Sequence, residues 1–342
     1  MTRKTSRSQP APGPAEPVPW AGFRAGVDFQ QQALPALAAR LQEQLGDRQW
    51  ELPVRRVVAI GIGASHAALG TFAHCLDGHG IPVTLRTGAD GPGPIDPEAW
   101  YVGVSQSGRS AEVVAALREV PAQRRIAVVN RTDSPVGALA THLLSLGNLP
   151  DSRVSTIGYT GTVLALVALA ERFAGKPPRP LPLPDLGAFA HQCQAWAGEV
   201  GPLLRAARAT DLIGSGSSRG IVAAGALLLR EGALLPAGGY DTRSYLHGYM
   251  DCASAQTAHL VVDQGREEVL LRQLREAGAR VIRLGGPAGE DSHALPLPAR
   301  GPAGVSIAIA VALQHLVLEH AWATGNHPED SVFERLDTKV SS

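Results

Sequence analysis

Cysteine is nearly absent: Cys75, Cys193 and Cys252 are the only three in 342 residues. They are odd in number and far apart, which excludes a disulfide framework and a CxxC metal or redox motif and points to a reducing interior. Net charge is missing as well, with 31 Lys and Arg against 31 Asp and Glu. No basic stripe offers itself to a phosphodiester backbone, so no nucleic-acid partner is expected. The 11 histidines include no pair at close helical spacing with a carboxylate, so no metal site is expected. Aromatic residues are 5% of the chain, and a core would have to be built from Val, Ile, Leu and Ala.

Long apolar runs are scarce too. "MTRKTSRSQPAPGPAEPVP" is basic, polar and proline-rich without the apolar centre of a secretory signal, and residues 1–19 are expected to form a disordered lead-in. "VSIAIAVALQHLVL" (305–318) is short and contains Ser306, Gln314 and His315. It reads as a buried core helix rather than a membrane span. A cytoplasmic protein without a membrane partner is expected.

What is present is a repeat. "RVVAIGIGASHAALGTFAHCL" (56–76) runs from an apolar strand pattern through Gly-x-Gly into a helical pattern, and "TDLIGSGSSRGIVAAGALLL" (210–229) repeats that order. Further strand patterns follow at 81–87, 99–105, 124–130, 259–264 and 279–286, separated by helical ones such as "SAEVVAALREV" and "REEVLLRQLREAG". Such alternation predicts parallel sheets covered on both faces. The five prolines of "AGKPPRPLPLPDL" (174–186) separate the halves. The spacing divides the chain into a first α/β unit at 20–175, a linker and connecting helix at 176–204, a second unit at 205–325 and a tail at 326–342. A dinucleotide cofactor is not expected. His66 stands where GxGxxG needs its third glycine, and Gly220 comes one place late in the second copy.

"VGVSQSGRSAEVVAAL" (102–117) reads as a strand, a serine-rich turn and a helix. A helix N-terminus exposes unpaired N–H groups and partial positive charge, which stabilise an anion without any lysine. Ser105, Ser107 and Ser110 can bracket a phosphate there, with Gln106 beside them, and Ser65 occupies the matching turn of the preceding unit. A single serine would merely cap its helix. Four hydroxyls on two such turns point to phosphate.

"SQSGRSAEVVAAL" together with "GIGASHAA" resembles the sugar isomerase (SIS) domain, and the tandem arrangement is similar to the isomerase half of glucosamine-6-phosphate synthase and its relatives, phosphosugar isomerases and deaminases. The resemblance covers roughly residues 22–342. It implies two tandem flavodoxin-like three-layer sandwiches, with Ser65, Ser105, Gln106, Ser107 and Ser110 holding a sugar phosphate. Ser155, in "VSTIGYT", would meet the sugar, although the lysine common after that Ser-Thr is Ile157 here. The second copy has no serine turn, since "GREEV" follows "HLVVDQ", so one phosphate site per chain is expected.

By the same resemblance Glu231 carries a proton between C1 and C2, His247 opens the sugar ring, and Lys339 enters the site from the tail. The chemistry agrees with the first two roles. A carboxylate ending the apolar helix "AAGALLLRE" is partly desolvated, and a histidine titrates near neutrality. The family's histidine reaches into a neighbouring subunit, which implies a homodimer with shared active sites. Leu228, Ser244, Tyr249 and Arg109 depart from the family's lysine, glutamate, proline and glutamate. The first 20 residues are too few for a glutamine-hydrolysing domain. The expected activity is therefore a cofactor-free phosphosugar aldose–ketose isomerase. An amino-sugar-phosphate deaminase and a non-catalytic phosphosugar-binding regulator are the alternatives.

Overall fold

The apolar strand patterns form two parallel sheets in the computed structural model, which describes residues 22–46, 54–265, 267–286, 293–298, 300–334 and 336–340. The expected lead-in at 1–19 lies outside the described residues. After α1 (Phe23–Gly46) come β1 (Val57–Gly61), α2 (Ala64–Asp77), β2 (Val83–Thr87), β3 (Trp100–Ser105), α3 (Ala111–Glu119), β4 (Arg125–Val129), α4 (Pro135–Leu139), β5 (His142–Ser145) and α5 (Ile157–Phe173). The first sheet has strand order β2-β1-β3-β4-β5, every pair parallel, which is the flavodoxin-like order. Its central strands β1, β3 and β4 are buried on both faces. Val57 and Ala59 pack into one cluster while Val58 and Ile60 pack into another with Val113, Val114 and Leu117 of α3.

The proline stretch ends at Asp185, whose carboxylate accepts from Gly187 N and Ala188 N and starts α6 (Leu186–Arg205). The second half follows as β6 (Ala209–Gly214), α7 (Arg219–Gly232), β7 (Ala237–Asp241), α8 (Thr242–Leu246), β8 (Thr257–Asp263), α9 (Glu268–Glu276), β9 (Arg280–Gly285) and α10 (Gly301–Thr324). Its sheet runs β7-β6-β8-β9, again all parallel. Two edge strands, β5 and β7, are not among the sequence-read ones. β5 is four residues long, and β7 reads Ala-Gly-Gly-Tyr-Asp, too poor in apolar side chains for a strand signal. Gly239 is required there, because a Cβ would stand 2.6 Å from Val222 O of α7.

The two halves share one core. Leu212 and Leu260 of the second sheet belong to the same cluster as Val57 and Val102 of the first. α10 is long and apolar enough to cross a membrane by length and composition, and 78% of its most apolar stretch is buried inside the protein. The halves meet where α2 crosses α7. A Cβ on Gly70 would lie 3.0 Å from Gly220 Cα, and one on Gly220 would lie 2.7 Å from Ala67 O. Beside that crossing, Thr71 Oγ1 donates to Ser217 O at 3.1 Å.

Gly220→Ala is expected to destabilise the protein by roughly 1–3 kcal/mol through overpacking at this crossing; a urea midpoint equal to that of the unaltered chain would contradict it. A pH dependence follows from two buried histidines. Burial pushes His259 and His315 down to about 4, so both are neutral in the fold while the unfolded chain takes up protons below about 6.5. Their contribution is present above that pH and is lost as pH falls toward 4, with a slope of about 1.4 kcal/mol per pH unit for each histidine. Urea midpoints should therefore drop between pH 6.5 and 5, and the drop should shrink in His315→Gln.

Candidate active site

The serine turn begins where β3 ends. Ser105 is buried, and the chain reverses at Gly108, whose φ is 65°. Glycine is obligatory at that point, because a Cβ would meet Ser134 Oγ at 1.9 Å. Ser110 is the residue before α3, yet its side chain caps no helix N–H. Its hydroxyl lies 2.9 Å from Ser105 Oγ. Ser107 Oγ accepts from Arg109 N at 3.3 Å. Three hydroxyls thus gather at the mouth of a nine-residue helix, where partial positive charge favours an anion. Ser65 sits in the first turn of α2, past Gly63 with φ 57°. Because β1 and β3 are parallel neighbours, both turns leave the same carboxyl edge of the sheet, where ligands of such folds bind.

A residue absent from the sequence reading ties the turn to the sugar-side segment. Asp151 is buried. Its Oδ1 accepts from Thr156 N and Thr156 Oγ1, both at 2.8 Å, and its Oδ2 accepts from Ser155 Oγ at 2.9 Å and Gln106 Nε2 at 3.3 Å. Burial raises its pKa, against the lowering effect of the bonds from Thr156 and Ser155. Gln106 and Ser155, far apart in sequence, are held by one carboxylate. Gly158 makes room for this meeting. A Cβ there would stand 2.1 Å from Asp151 Oδ2 and 2.7 Å from both Gln106 Cγ and Ser155 Oγ. Asp151 lies in a loop with no periodic pattern, and only the Ser-Thr at the start of α5 hinted at a local cap.

Ser155 opens onto a pocket of about 380 Å³ that Glu231 also lines. Glu231 is half-buried near the end of α7. Leu227, Leu228, Ile221 and Ala64 supply apolar wall. Tyr159 lines the pocket too, and its buried hydroxyl has no hydrogen-bond partner among the described residues. Leu228, where the resemblance leads one to expect lysine, makes this wall apolar.

The tail reaches the serine turn. Lys339 forms an antiparallel bridge with Ser110, Ala111 N donates to Thr338 O at 3.4 Å, and Val340 N donates to Arg109 O at 3.0 Å. Arg109 also holds the tail, since its Nε donates to Val340 O at 3.3 Å. Arg153 fastens the tail a second time, donating to the carbonyls of Pro328, Glu329 and Asp330, and at 3.4 Å to that of Glu231. His247 stands apart. It is exposed at the end of α8, and among the described residues no hydrogen bond joins it to Glu231 or the serine turn. Also among the described residues, no group of three or more His, Cys, Asp or Glu is placed to hold a metal ion.

No protein-family model matches the chain. Among curated proteins it is 27% identical over 264 residues to the isomerizing glutamine–fructose-6-phosphate aminotransferase of Gloeobacter violaceus, a match that covers 70% of this chain and 43% of the relative. The chain thus spans less than half the length of that relative. The fold matches the C-terminal domain of glucosamine-fructose-6-phosphate aminotransferase from Francisella tularensis, with TM-score 0.74 and 16% identity over 89% of this chain and 96% of that one. It also matches glucosamine-6-phosphate deaminase from Thermotoga maritima, with TM-score 0.71 and 17% identity over 90% and 97%. At these identities the solved structures share the fold.

Gly158→Ala is expected to force Asp151 away from Gln106 and Ser155 and to destabilise the protein by roughly 1–3 kcal/mol. An unchanged urea midpoint would show that the three groups do not need this close approach.

Proposed function

We propose that this chain, a homologue of the isomerizing aminotransferase with the double sugar isomerase fold, is a phosphosugar aldose–ketose isomerase acting through an enediol. The observation that carries the reading is the run of hydrogen bonds from Gln106 through Asp151 to Ser155, which joins a hydroxyl-lined helix mouth to a pocket holding a half-buried glutamate.

In this reading Ser105, Gln106, Ser107, Ser110 and Ser65 bind the phosphate, helped by the N-terminus of α3. Asp151 positions Gln106 and Ser155, and Ser155 meets the sugar. Phosphate binding fixes one end of the substrate, so that C1 and C2 lie beside Glu231. The carboxylate takes the C2 proton, the carbonyl oxygen at C1 gains a proton, and an enediol forms. Return of the proton to C1, with loss of one from the C2 hydroxyl, yields the ketose.

His247 is assigned ring opening in the site of a second copy, because among the described residues no hydrogen bond joins it to Glu231. That assignment makes the protein a homodimer with shared sites. Lys339, held at the serine turn by its backbone, is assigned to closing the site over the phosphate.

The test is incubation with hexose, pentose and amino-sugar phosphates in D2O, with deuterium at C1 or C2 followed by NMR. Exchange is expected with at least one of them. Glu231→Gln should lose exchange by about a thousandfold or more, on the order of what a positioned acid–base group supplies, and should keep phosphate-dependent binding. Ammonia released with exchange would move the assignment to a deaminase. Binding without exchange across the panel would overturn the isomerase and leave a phosphosugar-binding regulator.

A further inference from the structure

The second half repeats the frame of the first. β6 takes the place of β1 and β8 that of β3, in the same parallel pairing. Gly216 turns with φ 55° as Gly63 does with φ 57°. Ser218 then stands where Ser65 stands. Gln264 follows β8 as Gln106 follows β3. A frame for an oxyanion is present twice.

The second frame is filled by the chain itself. Glu267 precedes α9 as Ser110 precedes α3, and it is fully buried. Ser215 Oγ donates to its Oε1 at 2.9 Å, Thr242 Oγ1 donates to the same oxygen at 3.3 Å, and Gln264 N donates to Oε2 at 3.0 Å. Those donors follow the ends of β6, β7 and β8 respectively. Three separate strands therefore converge on one carboxylate, and a carboxylate leaves water only where donors replace its hydration. In the first half the short side chain of Ser110 leaves the corresponding space unfilled by charge. Asp263, at the position of Ser105, does not compete for it, since its carboxylate accepts from Arg283 Nη2 and Gly265 N.

We propose that the second half contains a latent oxyanion site, of the phosphate or sulfate class, that the carboxylate of Glu267 keeps closed. The two halves keep one strand–turn–helix frame, and before the helix that follows it one carries Ser110 and the other Glu267. One half stays open to an external anion and the other carries its own.

The experiment compares Glu267→Ala with the unaltered chain by equilibrium dialysis against radiolabelled inorganic phosphate. Alanine removes a carboxylate group of about the size of phosphate and leaves all three donors. Glu267→Ala is expected to bind one more phosphate per chain than the unaltered protein, and adding Ser215→Ala should take the extra phosphate away. No gain in folded Glu267→Ala overturns the proposal, and so does a gain that survives Ser215→Ala. If Glu267→Ala does not fold in chloride buffer, phosphate at equal ionic strength is expected to restore its helical circular dichroism, and failure to restore it overturns the proposal equally. The readout is a difference between variants. An unaltered chain that binds no phosphate would therefore count against the serine turn as a phosphate site while leaving this inference standing.

Discussion

Everything in this molecule hangs on the backbone-to-backbone crossing of α2 and α7 at Gly70 and Gly220. Neither position has room for a side chain, so the helices that open the two α/β units touch directly. That contact merges the inner faces of two sheets into one core, running from Val57 and Val102 to Leu212 and Leu260. It also decides where α7 ends relative to the first sheet. Glu231 of the second half can line a pocket with Ala64 and Ser155 of the first only because nothing larger than hydrogen separates the helices. The candidate site is a product of packing between repeats, as ligand sites between packed units commonly are.

Within the first half, polar groups of the candidate site are arranged by a buried carboxylate. Asp151 would be costly to bury alone. It is stabilised by Thr156, Ser155 and Gln106, and it fixes the side chains of Ser155 and Gln106 in turn. Ser105 and Ser110 hydrogen-bond to each other, and Ser110 does not cap α3, so two hydroxyls are gathered in one place while the first N–H groups of the helix are left without a serine cap. The tail lies across this arrangement, clasped by Arg109 at one point and Arg153 at another. Two arginines far apart in sequence thus act on the same segment.

The repeat also shows how one architecture supports unequal halves. Gly63 and Gly216 make the same left-handed turn, and Gln106 and Gln264 follow equivalent strands. Divergence is concentrated at the residue before the third helix of each unit. Serine there is uncharged, whereas Glu267 introduces a charge that the surrounding donors stabilise by hydrogen bonds.

The strand patterns, the proline break and the Gly-x-Gly turns made the two parallel sheets legible in the sequence, because buried parallel strands are near-continuous apolar runs and glycine is needed where φ turns positive. The serine turn was legible for the same local reason, as was α10 as a core helix. β5 and β7 were not, since short, glycine-bearing edge strands take their order from neighbours rather than from their own side chains. Asp151, Arg153 and Glu267 were equally invisible. Each is one polar residue in a loop or at a helix start, and its role exists only through partners many residues away. Arg109, which departs from the family's glutamate, donates its Nε to a carbonyl of the tail, a contact that its sequence neighbourhood does not show. Local chemistry thus determined the elements, the serine turn and the residue types that the proposed site draws on. Tertiary packing alone decided which of them meet, because burial is what makes a distant hydrogen bond strong enough to choose a side chain's direction.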